Sequence, residues 1–324
     1  MLICPVCSKE YPDFRYFCDC GSVLLWEGPE LSFKPFFSLG EGNTPLVERK
    51  DVKAKEFLKY EGENPTGSFK DRGSSFVISH AYSLGYKKIV CASTGNMGAS
   101  VAAYSAYANL YCKIFVPKNT PLPKISQIKA YGADIVFIDG SFSDCVKAAL
   151  REKDAYIAMS GINPFYLEGI KKISVEIEKK IGVPDNVFVP MGTGGLLTAI
   201  WKGFKKKKPR MFGVQPEGCS AIVDYVNTGI LPKIENPKSV ASALLAKDPV
   251  NYFTAAKAIK ETNGKAVKVS DEEIIHAVHE LGLEGIFAEP AGAAGLAGKN
   301  KLNISKKEKT VIIVSGSGLK QPVI

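Results

Sequence analysis

The chain has 324 residues, of which 45% are hydrophobic and 23% charged, and its formal net charge is +9. This length accommodates two domains with full hydrophobic cores, and the composition excludes a disordered or fibrous protein. No run of about 18 apolar residues occurs, and the N-terminus lacks a basic flank before a long apolar stretch. The sequence therefore predicts a cytoplasmic protein without membrane-spanning segments.

Four of the eight cysteines lie within the first 21 residues. Cys4-x-x-Cys7 and Cys18-x-Cys20 are separated by ten residues, and Gly21 follows the second pair. Four thiolates at such spacing can close a tetrahedral structural zinc site, and a glycine relieves the tight turn beside it. The second pair has one intervening residue rather than the usual two, so reduced thiols without metal remain the alternative.

The segment ENPTGSFKDRG, residues 63–73, places one lysine in a loop rich in glycine, proline and small hydroxyl residues. We expect this loop to present Lys70 just before a helix. A protonated lysine is a poor nucleophile, but desolvation or a nearby cation lowers its pKa and allows a Schiff base with a carbonyl cofactor. A surface lysine at a helix start is the alternative, and the loop alone does not decide between the two.

Short apolar, β-branched runs alternate along the chain with segments of helical periodicity. Each run is bounded by glycine, proline or charged residues, as buried parallel strands are. The alternation predicts an α/β protein with right-handed crossovers and ligand-binding loops at the carboxyl ends of strands. Ser270 and Glu273 have capping-box spacing, which predicts a helix from there to about Leu281. The predicted strands are KKIVCA, CKIFVP, DIVFID, NVFVPM, RMFGVQP and KTVIIVS.

Three further turns rich in glycine and hydroxyl groups follow strand-like runs. Residues 93–98, STGNMG, open an alanine-rich helix, and their N–H groups and hydroxyls predict an anion site for a substrate carboxylate. Residues 192–195, GTGG, open a helix at Leu196 and allow a phosphate to approach the backbone. Ser315 in SGSG could face a ring nitrogen. Any one turn could be purely structural, but four in one chain, counting the lysine loop, favour a cofactor site.

The densest basic run is KKKKPR at residues 205–210, at the end of a helical segment predicted over 196–208. Lysines are favourable at the negative end of a helix dipole, so we interpret the run as a solvated helix terminus. Nucleic-acid binding is the alternative. No aromatic interleaving or known reader motif accompanies the run, which argues against that alternative.

Taken together, NPTGSFKDRG, STGNMGAS, GTGG and SGSGLK, in this order and spacing, resemble the motifs of pyridoxal phosphate (PLP) enzymes with the tryptophan-synthase β-type fold. The upstream SLGEGNTPLV, residues 38–47, narrows the resemblance to the threonine synthases. The likeness extends from about Phe36 to the C-terminus. It implies a fold type II α/β enzyme, with two open α/β domains and PLP in the interdomain cleft. We expect a Cys4 ribbon at 1–30, a larger PLP-binding domain at 31–74 and 156–324, and a smaller α/β domain at 75–155.

The resemblance also implies a role for each motif. Lys70 would form the Schiff base with PLP and act as acid and base. Ser315 would give the pyridine nitrogen a neutral partner, which suits elimination better than transamination. The cofactor would further contact Asn96 and the phosphate-binding residues Gly192, Thr193, Gly194, Gly195 and Leu196, and the substrate would contact Ser93, Thr94, Asn163 and Tyr166.

The implied reaction is that of a carbon-oxygen lyase. A threonine synthase converts O-phosphohomoserine and water into threonine and phosphate by β,γ-replacement. Some members of the family carry an N-terminal metal ribbon, which supports zinc as a structural metal at the cysteines, and homodimers are common in this fold.

Three positions depart from the threonine synthase pattern. An arginine that helps bind the leaving phosphate usually stands where this chain has Tyr166, and a phenol brings no positive charge. Lys124 or Lys171 could replace it. GTGG lacks the usual asparagines, and Ser317 stands at a position where histidine is usual. These departures leave open a threonine or serine dehydratase, or another β-replacement enzyme of the same fold. A non-catalytic nucleic-acid-binding protein is the third hypothesis.

Overall fold

The computed structural model describes residues 1–28, 35–50, 54–93, 95–118, 120 and 122–322, with the backbone alone for 122–124. The strands of these residues are β1 (Leu2–Ile3), β2 (Glu10–Tyr11), β3 (Leu25–Trp26), β4 (Leu46–Glu48), β5 (Glu56–Tyr60), β6 (Lys88–Ala92), β7 (Tyr111–Pro117), β8 (Asp134–Ile138), β9 (Tyr156–Ile157), β10 (Asn186–Pro190), β11 (Arg210–Pro216), β12 (Lys265–Val269) and β13 (Thr310–Val314). Their helices are α1 (Lys70–Ser83), α2 (Asn96–Tyr107), α3 (Leu122–Ala130), α4 (Phe142–Leu150), α5 (Tyr166–Ile170), α6 (Lys172–Ile181), α7 (Gly195–Gly203), α8 (Ala221–Thr228), α9 (Tyr252–Glu261), α10 (Asp271–Leu283) and α11 (Pro290–Asn300).

The chain divides into two compact units, and neither is continuous in sequence. The first unit consists of Met1–Glu41 and Asn64–Ile170, and the second of Gly42–Glu63 and Lys171–Ile324. The smaller domain predicted at 75–155 lies within the first unit, as do the cysteine-rich N-terminus and the loop that carries Lys70.

The first unit contains a small antiparallel sheet and a parallel one. The small sheet has the order β2-β1-β3 and forms the ribbon, by which we mean residues 1–28. The parallel sheet has the order β8-β7-β6-β9. The chain runs from β6 outward to β7 and β8, whereas β9 lies on the other side of β6. The direction of winding therefore reverses between β6 and β9, and such a reversal opens a crevice at the carboxyl ends of the two strands.

The second unit contains a sheet of order β12-β11-β10-β13-β5-β4, which is parallel except for the antiparallel edge strand β4. All residues of β10 and β13 are buried, as expected for central strands that helices cover on both faces. The winding reverses between these two strands, which places a second crevice at their carboxyl ends. The main core of this unit includes Leu58, Phe188, Phe212, Val214, Leu296, Ile312 and Val314.

All six strands predicted from apolar runs are present, as β6, β7, β8, β10, β11 and β13. The capping box at α10 is also confirmed, because the Glu273 N–H donates to Ser270 Oγ at 3.2 Å and the Ser270 N–H donates to Glu273 Oε2 at 2.7 Å. No helix among the described ranges is long and apolar enough to cross a membrane.

The helix predicted over residues 196–208 is shorter than expected. It ends at Gly203, and Phe204 is already extended. The Nζ of Lys208 folds back to donate to the carbonyls of Trp201 at 2.7 Å and Phe204 at 2.9 Å. The basic run thus caps the helix C-terminus instead of continuing the helix, which agrees with its interpretation as a helix terminus.

Candidate active site

Lys70 is the first residue of α1, so the prediction that a constrained loop presents it at a helix start is confirmed. The loop is fixed by Asp71, a fully buried residue whose carboxylate accepts from both the N–H and the hydroxyl of Thr66 at 2.6 Å. A carboxylate in the first turn also suits the positive end of the helix dipole. The position of the Lys70 backbone is therefore set by buried hydrogen bonds on its own loop.

The amine of Lys70 lies at the crevice of the first unit. Its Nζ donates to Ser160 Oγ at 3.2 Å and lies 4.6 Å from the centre of the Phe69 ring. Ser160 lies three residues after the end of β9, at one side of the point where the winding reverses. Sequence reasoning missed Ser160, because its role depends on a contact between positions 90 residues apart.

Tyr166 and Asn163 are both buried, and Tyr166 contacts the lysine loop. The Tyr166 hydroxyl donates to the backbone oxygen of Lys70 at 3.0 Å, and its ring fills the space above Gly73 that a side chain there would need. The Asn163 amide donates to Ile157 O at 2.9 Å, and its Oδ1 accepts from the N–H of Phe165 at 3.0 Å. Burial raises the pKa of Tyr166 well above its ordinary value, so the phenol is neutral. This placement favours support of Lys70; substrate contact by these two residues stays a prediction.

The turn predicted to bind the substrate carboxylate lies at the carboxyl end of β6, across the same crevice as Ser160. Ser93 is buried, and its Oγ accepts from the N–H groups of Gly95 at 3.3 Å and Gly98 at 2.9 Å. The hydroxyl thus caps the start of α2, and Asn96 is the first residue of that helix. Thr94 lies outside the described residues, as does the side chain of Lys124.

The turn predicted to bind a phosphate lies at the carboxyl end of β10, at the crevice of the second unit. Gly194 has a left-handed backbone with φ of 91°, and an added Cβ would lie 2.9 Å from Asn251 O. The N–H of Asn251 donates to Thr193 O at 3.0 Å and holds the turn from α9. Within the described ranges, the N–H groups of residues 193–197 have no acceptor, as expected at the start of a helix. Such N–H groups are suited to bind an anion.

Ser315 lies beside this turn, because β13 is the neighbour of β10 in the sheet. It directly follows the last residue of β13 and is 4% exposed. The turn around it is tight, since an added Cβ on Gly292 of α11 would lie 2.9 Å from Gly316 O. A hydroxyl and a turn with N–H groups suited to an anion therefore occupy neighbouring strand ends of one sheet.

One buried amide next to the phosphate turn was also missed. Asn251 is 4% exposed, and its Nδ2 has no hydrogen-bond partner among the described residues. It is the N-cap of α9, whose start lies against Thr193 and Gly194. This contact cannot be predicted from local sequence, because α9 lies far along the chain from the glycine-rich turn.

The donor set fits PLP. A lysine amine can condense with its aldehyde, unpaired N–H groups at a helix start can hold its phosphate, and a hydroxyl can face its ring nitrogen. The buried Nδ2 of Asn251, which has no partner among the described residues, suits an anion bound beside this turn.

The four cysteines of the ribbon come together. Their sulfur atoms all lie within 4.8 Å of one another, with 3.6 Å from Cys4 to Cys20 and 3.5 Å from Cys7 to Cys18. A tetrahedron with Zn–S bonds of about 2.3 Å has S–S edges of about 3.8 Å, so the spacing fits zinc. Gly21 has a φ of 85°, in agreement with the tight turn predicted there.

Comparison with known proteins agrees with this class of site. The sequence profile of the family described as pyridoxal-phosphate dependent enzyme matches residues 37–316. Maize serine racemase has the same fold, with a TM-score of 0.75 and 24% identity over 85% of this chain and 88% of that chain. Threonine deaminase isoform 2 from Solanum lycopersicum, in its processed form, gives a TM-score of 0.74 and 25% identity over 85% of this chain and 83% of that chain. The fold type II α/β architecture is confirmed.

Two curated relatives narrow the class. A threonine synthase of Halalkalibacterium halodurans is 40% identical over 89% of this chain and 85% of its own length. A threonine synthase of Methanocaldococcus jannaschii is 38% identical over 98% of this chain and 92% of its own length. The chain belongs to the pyridoxal-phosphate dependent enzymes and, among these lyases, to the threonine synthase family.

Proposed function

We propose that this protein is a threonine synthase that converts O-phosphohomoserine and water into threonine and phosphate. The support is the identity of 38% and 40% to two threonine synthases over most of the chain, combined with one structural observation. That observation is the amine of Lys70, which the first turn of α1 and Ser160 hold at the carboxyl ends of β6 and β9. It is the position from which a lysine can serve a carbonyl cofactor and a bound amino acid in turn.

In this proposal Lys70 carries the cofactor and moves the protons. When bound, PLP withdraws electrons from the substrate Cα and makes its proton acidic. The Lys70 amine removes the α-proton and then a β-proton, the phosphate leaves from Cγ, and these two protons pass to Cγ and to the released phosphate. Water then adds its hydroxyl at Cβ, and its proton is returned to Cα. The hydroxyl of Ser160 orients the amine between these transfers. A lysine fixed in this way acts as acid and base at close range.

We assign the residues that bind cofactor and substrate from their places at the carboxyl ends of the strands. We assign the cofactor phosphate to the N–H groups of Gly192 to Leu196 and the ring nitrogen to Ser315, which lies on the neighbouring strand. Asn96, at the start of α2, would hold the ring oxygen. Ser93 and Thr94 would hold the substrate carboxylate, with Ser93 acting through the N–H groups that its hydroxyl aligns.

A dehydratase acting on threonine or serine is the second candidate. The observation that favours it is the identity and placement of Tyr166, which brings no positive charge and turns its hydroxyl to the Lys70 backbone. A substrate without a phosphate would not need a cation there. Lys171, at the N-cap of α6, is a charged alternative for a phosphorylated substrate.

We further propose zinc at Cys4, Cys7, Cys18 and Cys20, supported by their mutual distances. A closed four-thiolate site leaves no open coordination position, so this metal has a structural role. A homodimer in the cytoplasm, as predicted from the sequence, completes the proposal.

The deciding experiment offers O-phosphohomoserine, threonine and serine separately to the purified protein loaded with PLP. Release of threonine and phosphate from the first substrate is the expected result. Formation of 2-oxobutyrate from threonine or pyruvate from serine, with O-phosphohomoserine inert, would overturn the proposal in favour of the dehydratase. Borohydride reduction followed by peptide mass analysis should place the cofactor on Lys70. Lys70→Ala should have no measurable turnover, whereas Lys147→Ala, on an exposed helix face, should match the wild type.

A further inference from the structure

The ribbon contacts the segment that leads to the Lys70 amine. The ring of Phe14 stacks on Tyr156, with centroids 5.6 Å apart, and on Phe165 at 5.8 Å. Trp26 of the ribbon also packs against Phe165, with ring centroids 5.7 Å apart. Phe165 also belongs to the same buried cluster as Cys4 and the other core residues of the ribbon. The ribbon and residues 156–165 therefore share one apolar core.

Tyr16 makes the polar contact of this interface. Its Oη accepts from the N–H of Ile157 at 2.9 Å. Strand β9 has only two residues, and within the described sheet it pairs with β6 on one side only. The N–H of Ile157 points to the open side of the strand, and the ribbon supplies its acceptor. On the same side, Ile157 O accepts from the amide of Asn163 at 2.9 Å.

Only a few residues separate β9 from Ser160, the residue that contacts the Lys70 amine. Ala158 still bonds to β6 through its N–H, which donates to Val90 O at 2.9 Å. Two residues later, Ser160 Oγ accepts from the Lys70 amine at 3.2 Å. A two-residue strand has too few ladder bonds to hold this position alone, so the placement of Ser160 depends on what fixes the outer side of β9.

We propose that Tyr16 is a positioning residue for Lys70: it fixes the outer side of β9, and thereby the position of Ser160 and the direction of the Lys70 amine. The inference rests on the proposed function, in which Lys70 carries PLP. Loss of the Tyr16 hydroxyl leaves the N–H of Ile157 without an acceptor, which is unfavourable for a buried group. Small displacements of a reacting group reduce rates steeply. The ribbon is then part of the machinery that makes the lysine reactive.

The test measures the reaction of Lys70 with PLP itself. Apoprotein is mixed with PLP, and the visible absorbance is followed as amine and aldehyde condense with loss of one water. Tyr16→Phe keeps the ring and removes the hydroxyl, and we expect the condensation rate to fall about three- to tenfold. Because Tyr16 positions the amine that moves the protons and is assigned no contact with substrate, kcat should fall with KM little changed. Tyr111→Phe, which removes a hydroxyl that donates to Asp134 at 2.6 Å elsewhere in the same unit, is the matched control and should keep the wild-type rate.

A double-mutant cycle distinguishes positioning from general loosening. Ser160→Ala leaves the ribbon contact intact and should also slow condensation. If Tyr16 acts through Ser160, the double variant is no slower than Ser160→Ala alone. Condensation at the wild-type rate in Tyr16→Phe, or a double variant whose slowing is the product of the two single effects, would overturn the inference. A wild-type protein that forms no adduct at Lys70 would instead overturn the proposed function.

Discussion

Replacement of Tyr166 by arginine addresses the main departure of this chain from the threonine synthase pattern. If the side chain at this position faced the substrate, Tyr166→Arg would restore a phosphate-binding cation. In the structure the side chain is 1% exposed, and its hydroxyl donates to the Lys70 backbone at 3.0 Å. We therefore expect Tyr166→Arg to damage the lysine loop and not to improve use of O-phosphohomoserine.

The magnitude follows from burial and charge. An unpaired buried charge destabilises a protein by roughly 3–5 kcal/mol, and the lost hydrogen bond adds about 1 kcal/mol. Burial and the nearby charge of Asp71 raise the pKa of Tyr166. Asp71 does not offset the cost of an arginine, because its carboxylate already accepts two hydrogen bonds from Thr66. Out of a total free energy of unfolding of about 5–15 kcal/mol, a loss of about 4–6 kcal/mol is large. Tyr166→Phe should lose only about 1 kcal/mol.

Urea unfolding of the wild type, Tyr166→Phe and Tyr166→Arg measures these free energies, and PLP absorbance reports whether Lys70 still binds the cofactor. Steady-state kinetics with O-phosphohomoserine complete the set. A Tyr166→Arg protein within about 1 kcal/mol of the wild type, with a lower KM for this substrate, would refute the reasoning. That result would mean that the side chain at this position reaches the substrate after all.

Three other predictions follow from the glycine-rich turn at 192–195, from the ribbon, and from His80 of α1, whose ring packs against Phe14, Tyr156 and Phe165. Gly194→Ala places a side chain on a backbone with φ of 91°, 2.9 Å from Asn251 O, and should raise the dissociation constant of PLP at least about tenfold. A fluorescence titration with PLP measures this constant. The control Gly182→Ala, with φ of 72° and open space around the added Cβ, should leave the dissociation constant of PLP unchanged. Metal analysis should find one zinc per chain, and a chelator or Cys7→Ser should remove it and lower the thermal midpoint. Burial lowers the pKa of His80 to about 4 from 6.5, so its neutral ring stabilises the fold above pH 6.5. That contribution, about 1–2 kcal/mol after discount for partial exposure, should vanish as the pH falls through 4. Urea unfolding at a series of pH values measures it, and the free energy of unfolding should fall less with pH in His80→Gln than in the wild type.

Continuous apolar runs were sufficient to predict the central strands, but two strands near the site escaped notice. Strand β5 contains Lys59, a charged residue that is 1% exposed and whose Nζ donates to Glu176 at 2.6 Å. A buried ion pair with a partner on α6 cannot be read from local hydropathy. Strand β9 is too short to have a pattern, and the N–H on its outer side bonds to Tyr16, far away in the sequence.

The candidate site shows the same division. Lys70 and the glycine-rich turns were predicted because their residue types are required where a strand ends and a helix begins. Ser160 and Asn251 were missed because their importance lies in contacts with distant segments. For Tyr166, a motif gives a position in the chain but not the direction of the side chain, and the structure directs this one toward the Lys70 backbone.

The discontinuous division of the chain has a consequence for its synthesis. Strand β13 lies between β10 and β5, and Thr310 pairs with Glu56 across nearly the whole sequence. On the ribosome, β5 must therefore wait until residues 310–314 have emerged before it can pair with its parallel neighbour. Folding of the second unit is then dominated by distant pairings, which form slowly and leave strand edges open meanwhile. A chain that stops short of residue 310 lacks a central strand of this sheet, so such a truncation should yield an insoluble product.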